Sequence, residues 1–313
     1  MTRSNIDDDW VHESITAYLS SASAPGHEGA LDKLAIADPE HVYDAILAHV
    51  RLRTTHSSQD QDRLVGLLAS LKARAAATDA SPELYPLGLN IRELWNGELE
   101  ENTVEQWTAL NAFVARLAQA EISNFDPFGI WAMRAALEDE ATTGGWIPAA
   151  AVWVLYAGRR MYALSREEGR EWTRATRGGA RWKDGPDGYS IGRWQLWKDG
   201  FRQIGDGSEA PVVADDKREL VKRAHKVMEE LDRGVVKRMH AQTFAFLFYL
   251  CKYVTVVQRK VETSRKRNEP CHCHNTAFAG STYHSTSALM ATASIVHIRN
   301  HVPRRSETVH DTP

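Results

Sequence analysis

Residues 270–275 read Pro-Cys-His-Cys-His-Asn, and four thiol and imidazole side chains in succession raise the chemistry of zinc. Structural zinc is held tetrahedrally, by ligand pairs with about two to four residues between partners. Here Cys271, His272, Cys273 and His274 are adjacent. In an extended segment Cys271 and Cys273 face one way while His272 and His274 face the other, so the four do not surround one ion by themselves. Cys251, His284, His297 and His301 could join Cys271 and Cys273 only by folding a glycine-, serine- and threonine-rich segment around the metal. A zinc site's apparent binding energy of about 10–16 kcal/mol could drive such folding. The spacing favours a redox-sensitive or adventitious metal-binding tail instead, and no cofactor is expected.

A second stretch could meet phosphates. Arg170, Arg174, Arg177, Arg181 and Lys183 run through a glycine-broken segment with Trp172 and Trp182 interleaved, the mixture of charge neutralisation and base stacking that single-stranded nucleic acid requires. Glu167, Glu168, Glu171, Asp184 and Asp187 are mixed in, and no recognition motif accompanies them. Nucleic-acid binding is therefore an alternative, not the first reading. Among catalytic signatures the chain has no GxGxxG after a strand, no GxxxxGK[ST], no HExxH and no GxSxG. His225 and Glu229, four apart, and His41 and Asp44, three apart, would each share a helix face, as charged pairs on helical surfaces commonly do. The sequence leans away from an enzyme; one without a recognisable motif is a further alternative.

The elements that must position these residues are helices. Asp38-Pro39-Glu40 places a capping carboxylate before a proline, and Val42, Ile46 and Val50 follow at spacing four. Thr103-Val104-Glu105-Gln106 has the capping-box form, followed by Trp107, Leu110, Val114 and Leu117 on one face. Asp126-Pro127 and Ile147-Pro148 start two more, and residues 213–232 form another. Ser81-Pro82, Tyr85-Pro86-Leu87-Gly88, Thr143-Gly144-Gly145, Gly178-Gly179 and Asp184–Gly188 read as connectors. No long alternating apolar and polar run competes, so the fold class is all-α, an irregular multi-helix bundle or stacked helix pairs. On a helical wheel Trp194, Trp197, Phe201 and Ile204 share one face opposite Gln195, Asp199 and Arg202. That aromatic stripe is a core face or a partner-binding anchor, and a helix with one apolar stripe must bury it.

The succession WTALNAFVARL (107–117), FGIWAMRAALEDE (128–140), PAAAVWVLYAGRRMY (148–162) and GGARWKDGPDGYSIGRWQLWKDGF (178–201) resembles the fungal family known as domain of unknown function 3632. The resemblance covers about residues 90–232. It implies a fungal, intracellular, helical protein and brings no assigned activity, so no catalytic residue is carried over.

The chain's 313 residues, 43% hydrophobic and 25% charged, suffice for a real core. A net charge of -3 hides an acidic front, since residues 1–158 carry 23 acids against 10 bases while the remainder is basic. The two parts can attract each other within one fold or between copies. The three aspartates in MTRSNIDDDW stand where an export signal would be apolar, and three cysteines make no disulfide framework; a cytoplasmic or nuclear address is expected. The domains read as 1–89, an N-terminal helical part; 90–232, the main helical domain; and 233–313, an apolar helix with a low-order tail that contains Cys and His, of doubtful status as native sequence. AQTFAFLFYLCKYVTVV (241–257) is short for a membrane span and interrupted by Lys252. The role expected is a non-catalytic interaction or structural module. A protein partner or self-association comes first, nucleic acid is possible, and a membrane enters only through 241–257.

Overall fold

Asp38 accepts a hydrogen bond from the Glu40 amide at 2.9 Å, and Pro39 sits at the first helical position, where an N–H would have no acceptor in the helix. Thr103 and Gln106 form a complete capping box, each side chain bonding the other's amide. These local signals start two of the helices in a computed structural model that describes residues 6–21, 24–77, 85–97, 102–140, 145–208 and 214–234.

Among the described residues the chain forms ten α-helices and no strand, an all-α architecture as the sequence requires. They are α1 (Ile6–Ser20), α2 (Ala24–Ala35), α3 (Pro39–Arg53), α4 (Gln59–Ala77), α5 (Tyr85–Gly97), α6 (Val104–Gln119), α7 (Asp126–Leu137), α8 (Trp146–Ser165), α9 (Ile191–Asp206) and α10 (Asp215–Asp232). Two single turns of 3-10 helix, Arg174–Thr176 and Ala180–Trp182, interrupt the connection between α8 and α9. One expected connector is corrected: Tyr85–Gly88 is the first turn of α5. Proline is tolerated there because the first amides of a helix have no partner within it.

Helix α6 occupies the centre. Its residues Trp107–Ala118 are all buried, so the helix is surrounded on every side, with Thr108, Asn111 and Arg116 its polar members. Helices α3 and α4 pack on it together with α8, its most extensive neighbour; α10 lies against α8 and α9, and α7 joins α8 and α9. The aromatic content follows this layout. Trp107 meets Trp95 at 4.7 Å and Trp146 at 5.0 Å between ring centroids, and Trp153 donates its indole N–H to Asn111 Oδ1 at 2.9 Å.

Helix α9 starts at Ser190, whose hydroxyl accepts from the Arg193 amide at 3.2 Å, and stops at Gly207, where a φ of 71° suits glycine. Trp194, Trp197 and Phe201 are fully buried. Trp194 packs on Tyr162 and donates to Asp232 Oδ1 at 3.0 Å, closing α9 against the far end of α10. Cys251, Cys271, His272, Cys273, His274 and the segment 241–257 lie outside the described residues.

Candidate functional site

A buried ion pair organises the connection from α8 to α9. Arg193, on the first turn of α9, bonds Glu138, just past α7, through Nε to Oε1 at 2.7 Å and Nη2 to Oε2 at 3.0 Å. Neither side chain is exposed. The remaining guanidinium hydrogens go to the backbone carbonyls of Thr176 at 2.9 Å, Gly188 at 2.8 Å and Arg177 at 3.3 Å, so all five donors are used. Glu138 in turn accepts from the Trp197 indole at 2.6 Å and the Gly179 amide at 2.8 Å. Two buried charges are tolerable only when this well satisfied. The pair therefore acts as a clamp on residues 176–188. The neighbouring Asp139 carboxyl is pushed up by burial, with Arg134 opposing and Glu138 reinforcing the shift.

A second cluster anchors the start of the same connection. Asp126, almost wholly buried, holds Arg160 with both oxygens, at 2.5 and 2.9 Å, and lies 3.6 Å from Arg170. The Tyr189 hydroxyl donates to the Asp126 carbonyl at 3.0 Å, and burial pushes that phenol above its usual range. Arg170 stacks over Trp172 at 4.5 Å, and Trp172 meets Tyr189 at 5.4 Å. Gly188, at a φ of 77°, leaves room for this: a Cβ there would stand 2.0 Å from the Trp172 ring.

These contacts place the basic and aromatic residues singled out from the sequence. Trp172 and Trp182 are partly buried and engaged within the chain, Trp182 donating to the Pro186 carbonyl at 3.0 Å. Arg170 is committed to Asp126, Glu167 and Trp172. Arg177, Arg181 and Lys183 are exposed along the clamped segment, and Arg174 is exposed just before it.

A cleft of about 430 Å³ opens between the end of α3, the loop after it, and the first turns of α6 and α10. His56 lines it, with Nδ1 3.3 Å from the Tyr156 hydroxyl and its carbonyl accepting from Arg116 Nη2 at 3.0 Å. Arg116 lies behind the wall: its guanidinium covers the Tyr156 ring at 3.5 Å and reaches Asp62 at 2.8 Å and Gln61 at 2.9 Å. On the opposite wall Lys217 bridges Glu105 at 3.2 Å and Asp216 at 3.0 Å. Burial holds the His56 imidazole below its ordinary pKa, and Arg223, Arg116 and Lys217 push it the same way.

The pairs read from helical spacing do not converge on a site. Asp44 bonds Asn90 at 2.5 Å, His41 is exposed, and Glu229 pairs with Arg233 at 3.5 Å. Among the described residues no group of His, Cys, Asp and Glu could hold a metal ion. Glu138 and Arg193, Asp126 and Arg160, and His56 stand in these clusters without any motif in the sequence to announce them. For Arg193 there was a signal: it stands four residues before Trp197, hence on the apolar face of α9. His56 carries no such local mark.

No curated protein and no solved structure matches the chain. A family model matches residues 44–201, a span from within α3 to within α9 that takes in both arginine–carboxylate clusters and one wall of the cleft. The chain belongs to the family described as Protein of unknown function (DUF3632).

Proposed function

We propose that this chain is a non-catalytic intracellular helical module that presents surfaces to another protein or to a second copy of itself. The observation that carries the reading is the use made of the buried charges. Glu138 and Arg193 spend their hydrogen-bonding capacity on each other, on Trp197 and on the backbone of 176–188, which is the work of a scaffold that fixes a surface segment. The acidic front and basic rear of the sequence supply complementary charge for association. Light scattering on the full chain, joined to a pull-down with nuclease treatment, tests this. Self-assembly or a protein retained after nuclease supports it; retention that nuclease abolishes overturns it. Cell fractionation tests the cytoplasmic or nuclear address. Among the described residues no helix is long and apolar enough to cross a membrane.

A second reading, contact with nucleic acid, is favoured by one feature: Arg177, Arg181 and Lys183 are exposed on a backbone that the clamp holds in place, with Arg174 exposed just before it. Charge neutralisation without stacking is the form it would take, because Trp172 and Trp182 are already packed. A mobility shift of labelled oligonucleotide that falls with salt, and falls further in Arg177→Ala/Arg181→Ala, supports it. No shift at low salt ends it.

A further inference from the structure

The cleft beside His56 is unequal in charge from one wall to the other. On the α10 side two of the acids, Glu105 and Asp216, share Lys217, which neutralises one of the two carboxylates. Glu219 lines the same rim. Behind His56, Asp62 is held by Arg116, and Asp60 lies on the first turn of α4. The cations facing the imidazole are Arg223 and Lys217 from α10 and Arg116 from α6, with Arg51 from α3 at the rim and the Tyr156 hydroxyl from α8. Arg51 uses Nε on Asn102 at 2.9 Å. Arg223 is exposed and forms no ion pair among the described residues. Thr55 and Ser57, whose hydroxyls lie 3.3 Å apart, add neutral donors at the same edge.

We infer that this cleft binds a small tetrahedral oxyanion, of the kind a phosphate monoester presents, between Arg223, His56 and the hydroxyls of the loop after α3. Donors reach the space from α3, from the loop and from α10, an arrangement that suits several oxygens pointing apart better than the two coplanar oxygens of a carboxylate. The volume accommodates a small organic group beyond the anion. This goes beyond the interaction-module reading, since the ligand is a small molecule and the site exists whether or not a partner binds.

Proton uptake is part of the binding. Burial and then the cations around His56 disfavour its charged form, and an anion placed among those cations offsets their share of the penalty. By reciprocity, a protonated His56 binds the anion more tightly. Affinity therefore rises as pH falls through the range in which the imidazole takes up its proton.

Calorimetric titration of the full chain with sulfate tests this, because sulfate stays a dianion throughout the range in which histidine titrates. The expected result is one saturable site that tightens as pH falls, the gain continuing below the ordinary histidine value of about 6.5 because burial and the neighbouring cations hold the free imidazole lower. Arg223→Gln weakens it by about tenfold or more, the loss of a charge-assisted hydrogen bond. His56→Gln leaves sulfate affinity flat with pH. Arg223 is exposed, so its variant carries the test even if His56→Gln fails to fold. Inorganic phosphate binds the same site, and glycerol 3-phosphate binds more tightly by filling more of the cleft. Absence of saturable sulfate and phosphate binding overturns the inference, as does binding untouched by Arg223→Gln. A phosphoserine peptide that outcompetes glycerol 3-phosphate overturns the small-molecule assignment in favour of a protein segment.

Discussion

Arg193 and Glu138 meet side-on, two nitrogens against two oxygens at 2.7 and 3.0 Å, with both side chains wholly out of solvent. Removing one partner leaves a buried charge alone. Glu138→Gln and Arg193→Met are each expected to destabilise the chain by about 3–5 kcal/mol, and the double variant to recover part of that loss. Urea unfolding followed by circular dichroism measures all three. A single-variant loss of less than about 1 kcal/mol would show the pair behaving like a surface contact.

Trp197 contributes both bulk and a donor to the same centre. Trp197→Ala should cost about 3–5 kcal/mol and lower the melting temperature accordingly. Trp197→Phe keeps most of the bulk but removes the bond to Glu138, and is expected to lose about 1.5–3 kcal/mol. An unchanged melting temperature in Trp197→Ala would contradict its burial.

Asp126→Asn weakens the hold on Arg160 and on Arg170 together. The expected consequence is local: trypsin cleaves after Arg170 and Arg174 faster than in the parent chain, while the overall melting temperature falls less than for Glu138→Gln. Equal cleavage rates in the two chains would mean that the Asp126 cluster does not order the start of this connection.

Asp232 titrates with folding. Burial alone would raise its carboxyl, but hydrogen bonds from Lys198, Trp194 and Gln195 bring it below the ordinary aspartate value. A depressed folded-state pKa means that the unfolded chain binds the proton more readily. The stabilisation is therefore present above the unfolded value of about 3.9 and is lost as pH falls through the lower folded one. The stability difference between the parent chain and Asp232→Asn should be constant near neutrality and shrink in acid. A difference that grows on acidification would reverse the assignment.

What the sequence disclosed was governed by near neighbours. The caps at Asp38 and Thr103 and the stripe of Trp194, Trp197 and Phe201 each depend on residues within one or two turns, so spacing rules apply. The arginine–carboxylate clusters do not work that way. Arg193 and Glu138 are 55 positions apart, and nothing local to Glu138-Asp139-Glu140 distinguishes the one carboxylate that bonds Arg193. The cleft is further from reach, for it draws one wall from the end of α3 and another from the start of α10. Tyr85–Gly88 was misplaced for the opposite reason: its proline and glycine signal a turn in isolation, and only the onset of α5 shows that the first helical turn accepts them.

The clamp on Thr176, Arg177 and Gly188 also bears on how this family can vary. A surface connection as long as that between α8 and α9 ordinarily tolerates inserted or deleted residues. Here one guanidinium grips the chain at three carbonyls, and Glu138 grips it again at Gly179. The spacing between those grips is thereby constrained, and an insertion between 177 and 187 would have to bulge outward to keep every carbonyl within reach. Length changes among relatives should collect before Thr173 or in the other connections, and leave this interval uniform.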